Sequence, residues 1–275
     1  MEPSITHVSG STGAVGVLGA GRLGDAVAAR MREEGKQVVM WSRRFEDPAS
    51  RPSAGRRSGD DLGAVIQSRV IFSAIPNQAL VSLSKRGDLR SFDGVMFALG
   101  IDAEARIVRD ALPNALVVRL SPAIPQDGGE VRSIGLLDNI ARADPRVSLA
   151  IAALQPLGPA SWIEEEQLYD LVTLLAGPLL TLIRSALTRT IEAGLAERGL
   201  TPAARDHVMD VVFNELTRRL RGRHDASKQA EGHRATPGGV TEVALSHSTQ
   251  VSEQLGAIVD KMLGHMQRLR VPPQE

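Results

Sequence analysis

The 275-residue sequence has no cysteine, which excludes disulfides, thiolate catalysis and cysteine-bound zinc. Lysine is nearly absent too, supplying four of the 32 basic residues, a bias that carries no functional conclusion. Aromatic residues make up 3% of the chain, too few for a platform that stacks bases along a single strand of nucleic acid. An excess of either charge is also lacking: 32 basic residues face 32 acidic ones, so no net field recruits nucleic acid or anionic lipid. A small metabolite is the expected ligand. No apolar run is expected to reach the length of a membrane span. Met1 to Gly13 is polar and lacks the apolar core of a signal peptide, so it reads as the loose leader of a cytoplasmic protein. The six histidines, at positions 7, 207, 224, 233, 247 and 265, show no metal-ligand spacing, and no metal is expected.

What is present is a strong alternation of short apolar runs with helical periodicity. Val15 to Leu18 reads as a strand, Gly19 to Gly24 as a glycine turn, Asp25 to Glu34 as a helix and Val38 to Trp41 as a second strand. After a polar stretch from Ser42 to Asp61, the pattern resumes at Val70 to Ile75, Ala79 to Leu83, Val95 to Leu99, Glu104 to Leu112 and Leu116 to Leu120. This pattern predicts an α/β domain, a doubly wound parallel sheet covered on both faces.

Strand signals stop after about Leu157, where Pro156, Gly158 and Pro159 punctuate the chain. The expected boundary therefore separates a dinucleotide-binding domain, residues 1–157, from an all-helical domain, residues 158–275. In the second half, helices are expected from Ile163 to Leu175, from Pro178 to before Gly199, from Thr201 and Pro202 to about Leu220, and from Glu242 to Leu269, with a polar linker from Arg221 to Arg234. The Pro178 helix is apolar on more than one face, which predicts a subunit interface as well as a core, hence a homodimer or a higher homo-oligomer through the C-terminal helices.

Gly19-Ala20-Gly21-Arg22-Leu23-Gly24 matches GxGxxG, and its place between an apolar strand and a helix gives each glycine a task. Gly19 permits a tight turn, Gly21 admits a pyrophosphate to the backbone, and Gly24 lets the helix pack closely. The helix start supplies unpaired N–H groups for phosphate. The second strand ends in Trp41-Ser42-Arg43-Arg44, where an NAD site would place Asp or Glu. A carboxylate there repels a 2′-phosphate, whereas guanidinium groups pair with it and Ser42 donates to it, so NADP(H) is expected over NAD(H). The residues do not choose between Arg43 and Arg44.

Several ordered stretches resemble the pyrroline-5-carboxylate reductase family, from Val15 to about His265. They are Val15 to Gly21, Ile71-Phe72-Ser73-Ala74-Ile75-Pro76-Asn77-Gln78, Val117 to Pro125 with Gly129 and Glu130, and Thr236-Pro237-Gly238-Gly239-Val240-Thr241. The resemblance implies a Rossmann-type domain followed by a helical domain that completes the active site and interlocks in a dimer. It implies NAD(P)H-dependent hydride transfer to the C=N carbon of a cyclic imine, as in proline biosynthesis. Cofactor contacts are then implied at Gly19, Gly21, Arg22, Leu23, Gly24, Ser42, Arg43, Arg44, Ala74, Ile75, Pro76, Gln78 and Ala98. Substrate contacts are implied at Pro122, Pro237, Gly238, Gly239 and Thr241, with Thr241 beside the imine nitrogen in the catalytic position. Read from its spacing alone, Thr241 also suits a helix N-cap, and the two roles are compatible.

The chain departs from the family where polar groups are concentrated. Ala123 and Ile124 stand where the family has Asn and Thr, Val240 replaces a hydroxyl, and the segment before Pro178 is two residues shorter and lacks the family's serines. A pocket with fewer hydrogen-bonding groups suits a less polar imine or carbonyl compound. The competing readings are an NADP-dependent oxidoreductase of another carbonyl, imine or hydroxy acid, and a non-catalytic NADP(H)-binding protein.

Overall fold

A computed structural model describes residues 13–43, 62–85, 89–124, 131–220 and 239–270. Arg44, Pro237 and Gly238, with most of the polar stretch after Ser42 and the linker after Arg221, lie outside these residues.

Continuous β-branched and apolar runs form the central strands, as expected of strands buried on both faces. In order these are β1 (Val15–Leu18), β2 (Val38–Trp41), β3 (Val70–Ser73), β4 (Val95–Ala98) and β5 (Leu116–Ala123). The helices between them are α1 (Arg22–Glu33), α2 (Leu62–Ile66), α3 (Asn77–Ser84) and α4 (Ala105–Ala111). Seven strands form one sheet in the order β2-β1-β3-β4-β5-β6-β7, and the first five are parallel. Register places Leu18 beside both Trp41 and Ser73, and Ser73 beside Ala98, so the carboxyl ends of β1 to β4 lie level at one edge. In an open parallel sheet, the ligand crevice lies there, where the strand order reverses between β1 and β3.

Alternate residues of each strand feed two apolar layers. Val17, Phe72, Phe97 and Val118 face α1, whose Val27, Ala28 and Met31 complete one layer. Ile71, Met96 and Val117 join Leu80 and Leu83 of α3 and Val108 of α4 in the other. Phe72 and Phe97 stack with centroids 4.8 Å apart. Complete burial of side chains this large is worth about 1.5–3 kcal/mol each, which makes the sheet the stable frame of the first unit.

The sheet continues past residue 157, contrary to the expected end of strand structure. β6 (Arg132–Leu136) runs antiparallel to β5, and β7 (Ala160–Ile163) lies parallel to β6 at the edge. Two short helices, α5 (Asn139–Ala143) and α6 (Val147–Ala153), separate these strands, and α7 (Glu166–Leu174) follows. The helix expected from Ile163 therefore gives its first residue to β7.

The chain divides into two compact units, residues 1–173 with 264–275, and residues 174–263. In the second, α8 (Leu180–Glu197) and α9 (Pro202–Leu220) precede α10 (Val240–Ser246) and α11 (Ser248–Arg270), the last of which ends in the first unit. Pro178 does not begin a helix as expected. It sits in a π turn, Leu175–Leu179, inside a continuous helical stretch, where the wider turn accommodates its missing N–H. The expected final helix is likewise two helices, broken at His247. Glu166–Glu197 includes an 18-residue window of mean hydropathy 1.6, long and apolar enough to cross a membrane by length and composition. This corrects the expectation that no run reaches that length.

Candidate functional site

The turn after β1 is built by close backbone approaches. Gly19 has φ +102°, which L side chains rarely adopt, and a Cβ there would stand 2.9 Å from Ile75 Cγ2. The Gly19 N–H donates to the Trp41 carbonyl at 2.7 Å, and the Ala74 N–H to the Leu18 carbonyl at 2.8 Å, tying the turn to the ends of β2 and β3. A Cβ on Gly24 would lie 2.0 Å from the Gly19 carbonyl oxygen, so the close packing expected of the third glycine is real. Gly21 N-caps α1 in extended conformation, and a Cβ there would meet nothing within 4 Å. The first-turn amides of α1, beginning at Arg22, have no partner within the helix and stand beside that open space with the helix dipole behind them.

That space is a cleft of about 500 Å³ at the carboxyl edge of the sheet. Gly19, Ala20 and Gly21 form one wall, Trp41, Ser42 and Arg43 a second, and the Ala74-Ile75-Pro76 turn with Gln78 a third. Ala79, Ser82 and Leu83 of α3 close it. A second cleft of about 200 Å³ shares Ala74, Ile75 and Pro76 with the first and continues past Leu23 to Leu99, Gly100 and Asp102 after β4. Asp102 holds the shared turn: its Oδ2 accepts from the Asn77 N–H at 2.9 Å. Ser73 Oγ and Asn77 Oδ1 are buried close by in the chain and have no hydrogen-bond partner among the described residues.

Most of the expected cofactor residues come together in this way. Gly19, Gly21, Ser42, Arg43, Ala74, Ile75, Pro76 and Gln78 line the larger cleft, and Leu23 lines the smaller. Arg22 is exposed at the first position of α1. Gly24 is buried behind the turn, and Ala98 is buried in the apolar layer shared with Leu80, Leu83 and Val108, lining neither cleft. Trp41, Ser82 and Asp102 also line these clefts without a local sequence signal. Register at the end of β2 brings in Trp41, which adjoins Ser42 and Arg43, the packing of α3 brings in Ser82, and the turn after β4 brings in Asp102. Among the substrate residues, Pro122 is half-buried near the end of β5, followed by exposed Ala123. In the second unit, Gly239 N-caps α10 in extended conformation without a side-chain cap. Thr241 lies one residue inside α10 and is exposed, so it is not the N-cap.

The arrangement suits an elongated ligand with a phosphate-rich middle. The glycine turn and helix start would hold anionic oxygens, Ser42 and Arg43 would meet one end, and the cleft beyond Pro76 would take the other. An NADP(H) molecule fits this donor set: the cradle is kept open by glycine, and among the described residues the only charged one on the larger cleft's lining is a cation, Arg43.

No protein-family model and no curated protein matches the chain. Solved structures do. A pyrroline-5-carboxylate reductase from Coxiella burnetii superposes with TM-score 0.67 at 16% identity, over 95% of this chain and 100% of that one. A Plasmodium falciparum pyrroline carboxylate reductase with NADP bound gives TM-score 0.71 at 12% identity, over 95% and 99% of the two chains. A reductive aminase from Aspergillus terreus in complex with NADPH and ethyl-5-oxohexanoate gives 0.60 at 15% identity, over 94% and 93%. At these identities the likeness establishes the fold, a Rossmann-type sheet followed by a helical region.

Proposed function

We propose that this chain is an NADPH-dependent reductase that delivers hydride to the C=N carbon of an imine and works as a homodimer. The observation that carries the reading is the cleft at the β1–β3 reversal, in which a glycine turn meets Ser42 and Arg43 where an NAD site would carry a carboxylate. The NADP and NADPH bound in the Plasmodium and Aspergillus proteins of the same fold support it. In this reading Ser42 and Arg43 bind the 2′-phosphate, with Arg44 as a second cation. The α1 amides bind the pyrophosphate, and the turn Ala74-Ile75-Pro76 orients the nicotinamide ribose.

Bound nicotinamide supplies the hydride, and the chain supplies placement. A protonated imine is already electrophilic, so positioning alone carries much of the rate and no strong general acid is required. Substrate contact is assigned to Pro122, Pro237, Gly238, Gly239 and Thr241, the Thr241 hydroxyl being the group that hydrogen-bonds the reacting nitrogen. Ala123, Ile124 and Val240 make a substrate less polar than 1-pyrroline-5-carboxylate the favoured one.

The test is oxidation of NADPH by the purified chain against a panel of cyclic imines with and without a carboxylate. Turnover is expected, fastest with the less polar members. Turnover of carbonyl compounds alone would replace imines by another substrate class, and binding of NADPH without any turnover would leave a binding protein. Arg43→Glu is expected to weaken NADPH at least tenfold more than NADH, since a charge-assisted phosphate contact is worth about 1.5–3 kcal/mol. Equal losses for both cofactors would remove the phosphate from this position.

A further inference from the structure

We propose that Asp102 gives the smaller cleft a fixed negative charge that makes the site favour the oxidised, cationic nicotinamide ring over the reduced, neutral one. The inference rests on the cofactor reading above and concerns the end of the molecule that reacts. If the pyrophosphate lies on the glycine turn and the 2′-phosphate on Ser42 and Arg43, the nicotinamide extends past Pro76 toward the carboxyl end of β4. The cleft there is lined by Leu23, Ala74, Ile75, Pro76, Leu99, Gly100 and Asp102. Six of the seven are apolar or glycine, and Asp102 carries the only charge.

The carboxylate is held in place. Its Oδ2 accepts from the Asn77 N–H at 2.9 Å, at the first residue of α3, and the turn containing it is closed by the Ala103 N–H donating to the Gly100 carbonyl at 3.1 Å. Upstream, the Leu99 N–H donates to the Ser73 carbonyl at 2.9 Å, so both sides of the cleft are tied to β3. Asp102 forms no salt bridge among the described residues, so its charge is not neutralised by a neighbouring cation there. An anchored, unneutralised carboxylate in a mostly apolar cleft is a preorganised electrostatic element, which acts without first reorganising water.

The consequence follows from the charge change of the cofactor. Hydride leaves the dihydropyridine ring with its electron pair, the ring becomes a pyridinium cation, and the hydride forms a new C–H bond at the acceptor carbon. A nearby anion stabilises the cation and the transition state in which that charge develops, and has little hold on the neutral ring. Asp102 therefore acts as an electrostatic positioning residue for hydride donation, and contributes to the tighter relative binding of NADP+.

Asp102→Asn separates this from a structural role, because the amide oxygen can still accept from the Asn77 N–H while the charge is gone. Dissociation constants of NADP+, NADPH and adenosine 2′,5′-bisphosphate are measured by calorimetry for the wild type and the variant at low salt. The expected result is a fall of about tenfold in the preference for NADP+ over NADPH, the size of one partly screened charge interaction. Binding of the bisphosphate, which reaches only the larger cleft, should be unchanged. An unaltered NADP+/NADPH ratio with all three ligands still binding would overturn the role of Asp102 and leave the cofactor reading intact. Failure of the wild type to bind any of the three would overturn the cofactor reading instead.

Discussion

Arg119 is 1% exposed, yet it carries a full charge, and the groups around it explain how that is tolerated. Its Nη1 donates to Glu166 Oε1 and Asp170 Oδ1, both at 2.8 Å, and its guanidinium carbon lies 4.5 Å above the Tyr169 ring. Arg270, near the end of α11, meets the same Asp170 with two bonds of 2.6 and 2.8 Å. Arg119→Ala removes a large buried side chain and one of the two cations that compensate the buried Asp170 carboxylate. We expect a loss of about 3 kcal/mol in urea unfolding, by cavity formation and loss of the ion pair together. By contrast, Arg142 and Glu164 approach to 2.7 Å with side chains 50% and 62% exposed, and breaking that pair should cost less than about 1 kcal/mol. If the two variants destabilise equally, burial is not what gives the Arg119 network its weight. Nothing local in the sequence announced this cluster, because its members are separated by up to about half the chain and meet only through the register of β5 and the packing of α7 and α11.

At the scale of elements, the parts specified by neighbouring residues were legible and the parts specified by tertiary contact were not. The ends of β1 and β2 are legible in the sequence because each apolar run stops at glycine or a polar pair. The glycine turn was legible because its positive φ and its close approaches require particular residues at fixed spacing. β6 was passed over because Gly135 interrupts it, and that glycine is there to admit Trp162, whose ring would lie 2.3 Å from a Cβ. β7 follows Gly158-Pro159, which reads as a turn, and only pairing with β6 makes it a strand. The segment between β6 and β7 carries two acid-sensitive contacts. Burial alone would raise the Asp138 carboxyl, but the paired bonds from Arg109 and the amides opening α5 outweigh it and hold the group below its ordinary value. The hydrogen bond from Arg146 does the same for Asp144, against a smaller opposing effect of burial. A carboxyl lowered by folding stabilises the native state above its unfolded pKa, near about pH 4, and that stability is lost as pH falls through the lower folded value. Acid unfolding of Asp138→Asn should therefore be shallower than that of the wild type below about pH 4, with the two differing by a constant amount at neutral pH. Parallel curves down to pH 2 would show that Asp138 does not contribute to acid lability.

The whole molecule leaves much apolar surface uncovered in its second unit. No residue of α8 or α10 is buried, while Leu180, Val211 and Val251 are each at least half exposed and Val243 is 60% exposed. Helices this apolar do not stay in water when a partner can cover them, because surface of this kind drives association. The hydropathy of the Glu166–Glu197 stretch is compatible with lipid as well, but Arg184, Arg189 and Glu192 lie along it, and charged groups are costly in a hydrocarbon core. A second copy of the chain would cover the apolar positions and leave such charges a route to solvent at the rim, which is why we expect a homodimer. Light scattering on the eluting protein should give twice the chain mass without detergent, and Leu182→Glu combined with Val211→Glu should move it toward the single-chain mass. The isolated sheet unit need not be affected, so far-ultraviolet circular dichroism should keep its strand signal. Partition of the wild type into neutral lipid vesicles, with a single-chain mass in their absence, would assign the apolar faces to a membrane.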